Sequence, residues 1–193
     1  MAFLIPGTVH TIASSDAEHI GDIFGSMFLT GDLALRQVAN LTGLEPYAIQ
    51  NWVKRGFLSP PQRKRYNMNQ VCRILNINML RTVLPMETIC GLLSYINGHL
   101  DDTSDDTIRD TDLYFIFVKL AAEVGKVVQH PDELDLWLSE ALSDYQEPIP
   151  GAKQRIKQVL KIMITAWAAA QLRRYAENMV YETLNNKENE HEK

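Results

Sequence analysis

The sequence predicts a mostly α-helical fold, and three observations carry that prediction. Apolar residues recur at spacings of three and four along most of the chain. Prolines stand where helices open (Pro46, Pro85, Pro131) and glycines where they close (Gly43, Gly56). From Ala152 to about Leu184 the chain reads as one long helix, in which Ile156, Leu160, Met163, Trp167 and Ala170 keep a four-three spacing.

The elements follow in order. Residues 14–28 suggest a short amphipathic helix capped by Ser14 or Ser15 and broken at Thr30-Gly31-Asp32. Leu35 to Leu41 forms a second helix, stopped by Thr42-Gly43. Pro46 opens a third. Ile49, Trp52 and Val53 share its inward face, and Tyr47, Gln50, Asn51 and Lys54 the opposite one. Gly56 ends it. Phe57 to Asn67, with Pro60-Pro61 inside, reads as a short two-stranded ribbon or loop with Arg63, Lys64 and Arg65 on one limb. Asn69 is expected to cap a helix from Gln70 to Val83, and Pro85 to start one from Met86 to Tyr95. After the acidic stretch His99 to Asp112, helices are expected over Leu113–Gln129 and from Pro131 to about Tyr145. Residues 147–151 form a clear break, and the polar tail after Leu184 is expected to fray.

Composition bounds the function. The chain has 193 residues, 46% hydrophobic and 22% charged, which suits one domain with an appendage or two small domains of an ordinary globular protein. Cys72 and Cys90 form neither a disulfide framework nor a metal spacing, and both read as buried apolar residues of a protein in a reducing cytosol. The start, MAFLIPGTVH, lacks the positive region of a secretory signal, and the apolar run at 162–172 is too short to cross a membrane. The five histidines are scattered singly.

Charge is the informative quantity. The whole chain carries −5, yet Leu33 to Arg81 holds eight Lys or Arg residues against the single acid Glu45, a local +7 beside a remainder of −12. A positive block next to an acidic one is the asymmetry expected when one part of a protein meets a polyanion.

The segments LALRQVANLTGLEPYAIQNWVKRGFLSP and RYNMNQVCRILNINMLR resemble the MerR-type winged helix-turn-helix. Val38-Ala39, Thr42-Gly43, Pro46, Ile49, Trp52, Gly56 and Pro60 align to that pattern without a gap. Over its full length the chain also resembles an uncharacterised bacterial family that carries this module ahead of an acidic helical region. The MerR likeness implies that the helix from Pro46 to Arg55 enters the DNA major groove and the ribbon from Phe57 to Tyr66 flanks it. Tyr47, Gln50, Asn51, Lys54 and Arg55 would then face DNA, Arg63, Lys64 and Arg65 would sit over phosphates, and Arg36 would support them. Two departures stand out: Gln50-Asn51-Trp52 replaces an Arg-Tyr-Tyr run, and the ribbon is short and proline-bearing. The C-terminal part lacks the metal-binding cysteines of the metal-sensing members, so metal sensing does not carry over.

Physical chemistry supports the same residues independently. Phosphate neutralisation needs clustered Lys and Arg. Gln and Asn can bond adenine at two points, each good pair giving roughly 1–3 kcal/mol of discrimination. Arg73 lies where it could reach phosphate, Arg81 is expected to pair with a local acid, and Trp52 to pack in the core. Asp101, Asp102, Asp105 and Asp106 raise a rival reading, a Mg²⁺-dependent all-α enzyme, with Asp132, Glu133 and Asp135 as the converging set. A helix capped by Thr103 or Ser104 explains the same cluster more simply.

The expectation is therefore a non-enzymatic, cytoplasmic, bacterial DNA-binding transcriptional regulator without a cofactor. It has an N-terminal helical arm (1–30), a MerR-like winged helix-turn-helix (31–84), an all-helical dimerisation or effector domain (85–185) and a disordered tail (186–193). Its partners would be double-stranded DNA, a second copy and a small-molecule effector. The leading rival is a protein-interaction module that kept the fold without binding DNA.

Overall fold

The computed structural model describes residues 2–98, 100 and 106–191, the last six by backbone alone. Asp101, Asp102, Thr103, Ser104 and Asp105 lie outside the described residues. The fold is mostly helical. A hairpin of β1 (Ala2–Leu4) and β2 (Thr11–Ala13) leads through a 3₁₀ turn at Ser14–His19 into α1 (Ile20–Met27). Then come β3 (Leu33–Ala34), α2 (Leu35–Thr42), α3 (Pro46–Lys54), β4 (Arg65–Tyr66), α4 (Met68–Leu80) and α5 (Met86–Asn97). The acidic C-terminal part builds α6 (Asp110–Ala122), α7 (Val124–Gln129), a 3₁₀ turn at Pro131–Glu133, α8 (Leu134–Ala141) and α9 (Ala152–His191).

Helix α4 is the axis of the molecule. Val71, Cys72, Ile74, Leu75 and Ile77 are fully buried, and the polar Gln70, Arg73 and Asn76 are buried with them, so this helix is covered on every side by its neighbours. Its start differs from expectation. Asn67 rather than Asn69 caps it, accepting from the Gln70 amide at 2.9 Å while the Gln70 side chain accepts from the Asn67 amide at 3.1 Å. Asn69 instead accepts from the amide and hydroxyl of Thr111 on α6.

The N-terminal arm opens in the hairpin, not in a helix, and it is part of the core. Ile5 is buried, Tyr114 of α6 donates to the Pro6 carbonyl at 2.7 Å, and Phe24 packs edge-on against Tyr114. Gly7 turns at φ 76° with its backbone against α4, where an added Cβ would lie 2.4 Å from the Leu75 carbonyl oxygen. No side chain fits there.

One hydrophobic cluster runs from Ile5 to Trp167 and crosses the expected boundary at residues 84 and 85 without interruption. The expected helix over 113–129 starts earlier, at Asp110, and breaks at Glu123. The four-three seam of α9 belongs to this same core: Ile156, Leu160, Met163, Trp167 and Ala170 are all buried in their own chain, with Trp167 edge-on to Phe117. From Leu172 to Leu184 the helix is exposed, and its backbone continues to His191 through the stretch expected to fray. Among the described residues no helix is long and apolar enough to cross a membrane.

Candidate nucleic-acid interface

Helices α2 and α3 form the centre of the candidate surface, and their turn is tightly held. Gly43 takes φ 68° and its amide donates to the Ala39 carbonyl, closing α2 in a left-handed cap. The Thr42 hydroxyl donates to the Val38 carbonyl at 2.8 Å and accepts from the Leu44 amide. Asn78 of α4 donates to the carbonyls of both Thr42 and Gly7, locking the turn to the hairpin and the central helix. The Val9 amide adds a bond to the Leu41 carbonyl.

Pro46 opens α3 at a position where a missing amide hydrogen costs nothing. Ile49 and Trp52 bury their side chains, as their spacing predicts, and this rotates Tyr47, Gln50, Asn51 and Lys54 to the outside. Tyr47 is 71% exposed. The helix closes with Gly56 and a bond from the Phe57 amide back to the Trp52 carbonyl.

The segment between α3 and α4 differs from the ribbon expected. Strand β4 pairs with β3, the two residues ahead of α2, in the register Leu33↔Tyr66 and Ala34↔Arg65. Gln62 bridges Arg65 across a tight turn closed by the Arg65 amide on the Gln62 carbonyl at 2.8 Å. Arg63 and Lys64 are the two central residues, at φ 48° and 64°, so they project from the tip while Arg65 lies on the returning strand. The Gln70 amide nitrogen pins the other side by donating to the carbonyls of Ser59 and Pro60.

All nine expected DNA-facing residues are exposed, but they are not equivalent. Among the described residues, the side chains of Arg36, Tyr47, Gln50, Asn51, Lys54, Arg63 and Lys64 make no hydrogen bond or ion pair. Arg55 is engaged: it pairs with Glu87 of α5 at 2.9 Å and stacks over the Phe57 ring. Arg65 donates to the Asp32 carbonyl at 2.7 Å, which braces β4 against the entry to β3.

Two basic residues expected elsewhere are corrected. Arg73 does not reach the surface. It is 4% exposed, pairs with buried Asp110 at 3.4 Å and donates to the Phe57 carbonyl at 3.2 Å. Helix α4 is surrounded on all sides, so no face was left for Arg73 to reach solvent. Burial raises the Asp110 carboxyl above its ordinary value despite the opposing Arg73 charge. Among the described residues Arg81 pairs with no acid; its Nε donates to the Asn78 side chain at 2.8 Å. No signal in the sequence distinguishes a core arginine from a surface one inside a run such as Gln70-Val71-Cys72-Arg73. The partner that decides it, Asp110, lies 37 residues away.

Of the acidic cluster, only Asp106 is among the described residues. Among those residues no three His, Cys, Asp or Glu side chains converge as metal ligands.

Comparison with known proteins bears on this surface. Residues 30–117 match a family described as Domain of unknown function (DUF1836). The chain is 30% identical over 102 residues to Uncharacterized protein YkrK of Bacillus subtilis (strain 168), a match that takes in 51% of this chain and 42% of that protein. The chain thus spans less than half the length of that relative. No solved structure matches it. The similarity to the family covers α2, α3, the Gln62–Arg65 turn and the buried Arg73–Asp110 pair, and leaves out the N-terminal hairpin that holds the α2–α3 turn.

Proposed function

We propose that this protein is a bacterial, cytoplasmic transcriptional regulator that binds double-stranded DNA through a MerR-like winged helix-turn-helix. Helix α3 enters the major groove, and the Arg63-Lys64 tip lies on the phosphate backbone. One observation supports this reading above the others. Three cations, two amides and an aromatic ring stand exposed, and unpartnered among the described residues, on the outer face of α3 and the turn that follows it, in a chain of net charge −5. Exposed cations without internal partners are what counter-ion release from DNA requires. Gln50 and Asn51 are the residue types that read adenine edges.

The regulator acts as a dimer in this reading, because two recognition helices on a near-palindromic site multiply affinity. The α9 seam is consumed by the chain's own core, so the contact falls to the exposed end of that helix. There Leu172, Tyr175, Met179, Val180, Tyr181 and Leu184 are each more than half exposed.

The test is fluorescence anisotropy of the full chain with a pool of duplex DNA, titrated across salt and followed by selection of bound sequences. Salt-steep binding that enriches a two-fold motif is the expected result. Binding no stronger than that of an unrelated acidic protein at low salt overturns the reading and points to a protein-contact module. Alanine at Arg63, Lys64 and Arg65 separates the two: DNA affinity collapses in the first case, and a protein partner survives in the second.

A further inference from the structure

The acidic C-terminal helices enclose a groove away from the basic surface. Its volume is about 400 Å³, and α6, α7 and α8 build its walls. Ile116, Leu120 and Val127 supply an apolar floor, and the half-buried indole of Trp137 stands beside them. Sites for small molecules range over roughly 300–1,000 Å³ and combine such a lining with a few placed polar groups.

The polar groups here are unbalanced. Two lysines border the groove, and each is neutralised by its own acid: Lys119 pairs with Glu18 at 3.2 Å, and Lys126 pairs with Glu123. Two further carboxylates, Glu140 and Asp144, make no ion pair or hydrogen bond among the described residues. The nearby lysines of α9 do not serve them, because Lys157 donates to Ser139 and Lys161 to Asp135. The groove therefore presents an indole ring, an apolar floor and two carboxylates left uncompensated among the described residues.

We propose that this groove binds an organic cation with an apolar body. The indole face attracts a cation through its quadrupole. Glu140 and Asp144 supply the counter-charge that the chain leaves unused, and Ile116, Leu120 and Val127 cover the hydrocarbon part. The inference does not rest on DNA binding, and its test needs no DNA.

That test is calorimetric titration of the full chain with tetraphenylphosphonium, and in parallel with tetraphenylborate, which has the same shape and the opposite charge. The cation is expected to bind at least about tenfold tighter than the borate, which is the factor one well-placed charge contact provides. The exposed pair Glu140→Gln with Asp144→Asn is expected to weaken the cation about tenfold with the melting temperature unchanged. Trp137→Leu, checked for folding by circular dichroism, is expected to weaken it by a smaller factor. Equal binding of the two ions, unchanged cation affinity in the carboxylate variant, or no heat of binding at about 1 mM cation would each overturn the proposal.

Discussion

The Arg55 guanidinium lies 2.9 Å from the Glu87 carboxylate and 4.5 Å from the centre of the Phe57 ring. These contacts tie the end of α3 to the first turn of α5 and take one cation of the candidate surface out of play. Both members of the ion pair are at least half exposed, so Glu87→Gln should cost about 1 kcal/mol or less in a urea melt. Freeing Arg55 and removing a negative charge should raise DNA affinity about two- to fivefold at low salt and steepen the salt slope. Anisotropy titrations at several salt concentrations read both quantities. Unchanged affinity would mean that Arg55 faces away from DNA.

The wing tip trades stability for charge. Arg63 and Lys64 occupy the left-handed region, where a side chain costs roughly 1–2 kcal/mol. Lys64→Gly should therefore leave the melting temperature equal or higher. It should also weaken DNA binding and lower the salt slope by about 0.9, one phosphate contact. A variant that melts lower and binds DNA normally would contradict both halves.

The turn between α2 and α3 depends on Gly43. Its φ of 68° disfavours any side chain, and an added Cβ would come within 2.5 Å of the Val9 Cγ1. Gly43→Ala should destabilise the fold by about 1–2 kcal/mol, since the exposed Val9 side chain can yield but the backbone cannot. Hydrogen exchange should show the loss first in α2 and the hairpin loop, which the Val9–Leu41 bond joins.

The Arg73–Asp110 pair is structural. Asp110→Ala leaves a buried guanidinium without its acid and should cost about 3–5 kcal/mol, whereas Arg73→Met with Asp110→Leu should recover most of that loss. A pH series adds a sign. Burial raises the folded-state value of Asp110 above its unfolded one, so the folded chain binds more protons in between. The favourable contribution is complete below the ordinary aspartate range and is lost as pH rises through the folded value. Urea melts should show wild-type stability falling relative to Asp110→Asn across that window.

Self-association should localise to the exposed end of α9. Leu172 and Met179 are one heptad apart on the same face, and both are more than half exposed. Sedimentation at tens of micromolar should show a dimer for the wild type and a monomer for Leu172→Glu with Met179→Glu. A monomeric wild type would remove the dimer from the proposal.

Local chemistry made several elements legible. Pro46 and the Ile49-Trp52 spacing located α3 and its outer face, because a proline start and a two-sided pattern are written in adjacent residues. Pro85 and Gly43 marked their boundaries for the same reason. The wing was harder. Its pairing partner is the two-residue β3 ahead of α2, and two residues carry no readable alternation. The hairpin at Ala2–Leu4 and Thr11–Ala13 is no more legible: its strands are three residues each, and its turn is held by contacts with α4 and α6.

The sequence by itself determined the helical class, the two faces of α3, and the concentration of positive charge between Leu33 and Arg81. These properties depend on spacing and composition along the chain. Tertiary structure decided which charges are usable. It sank Arg73 against Asp110, tied Arg55 to Glu87 and Arg65 to Asp32, and turned the α9 seam into the chain's own core. Each of these outcomes hangs on a partner distant in sequence. Whether a cation is free or spent is a property of the packed neighbours that only folding brings beside it.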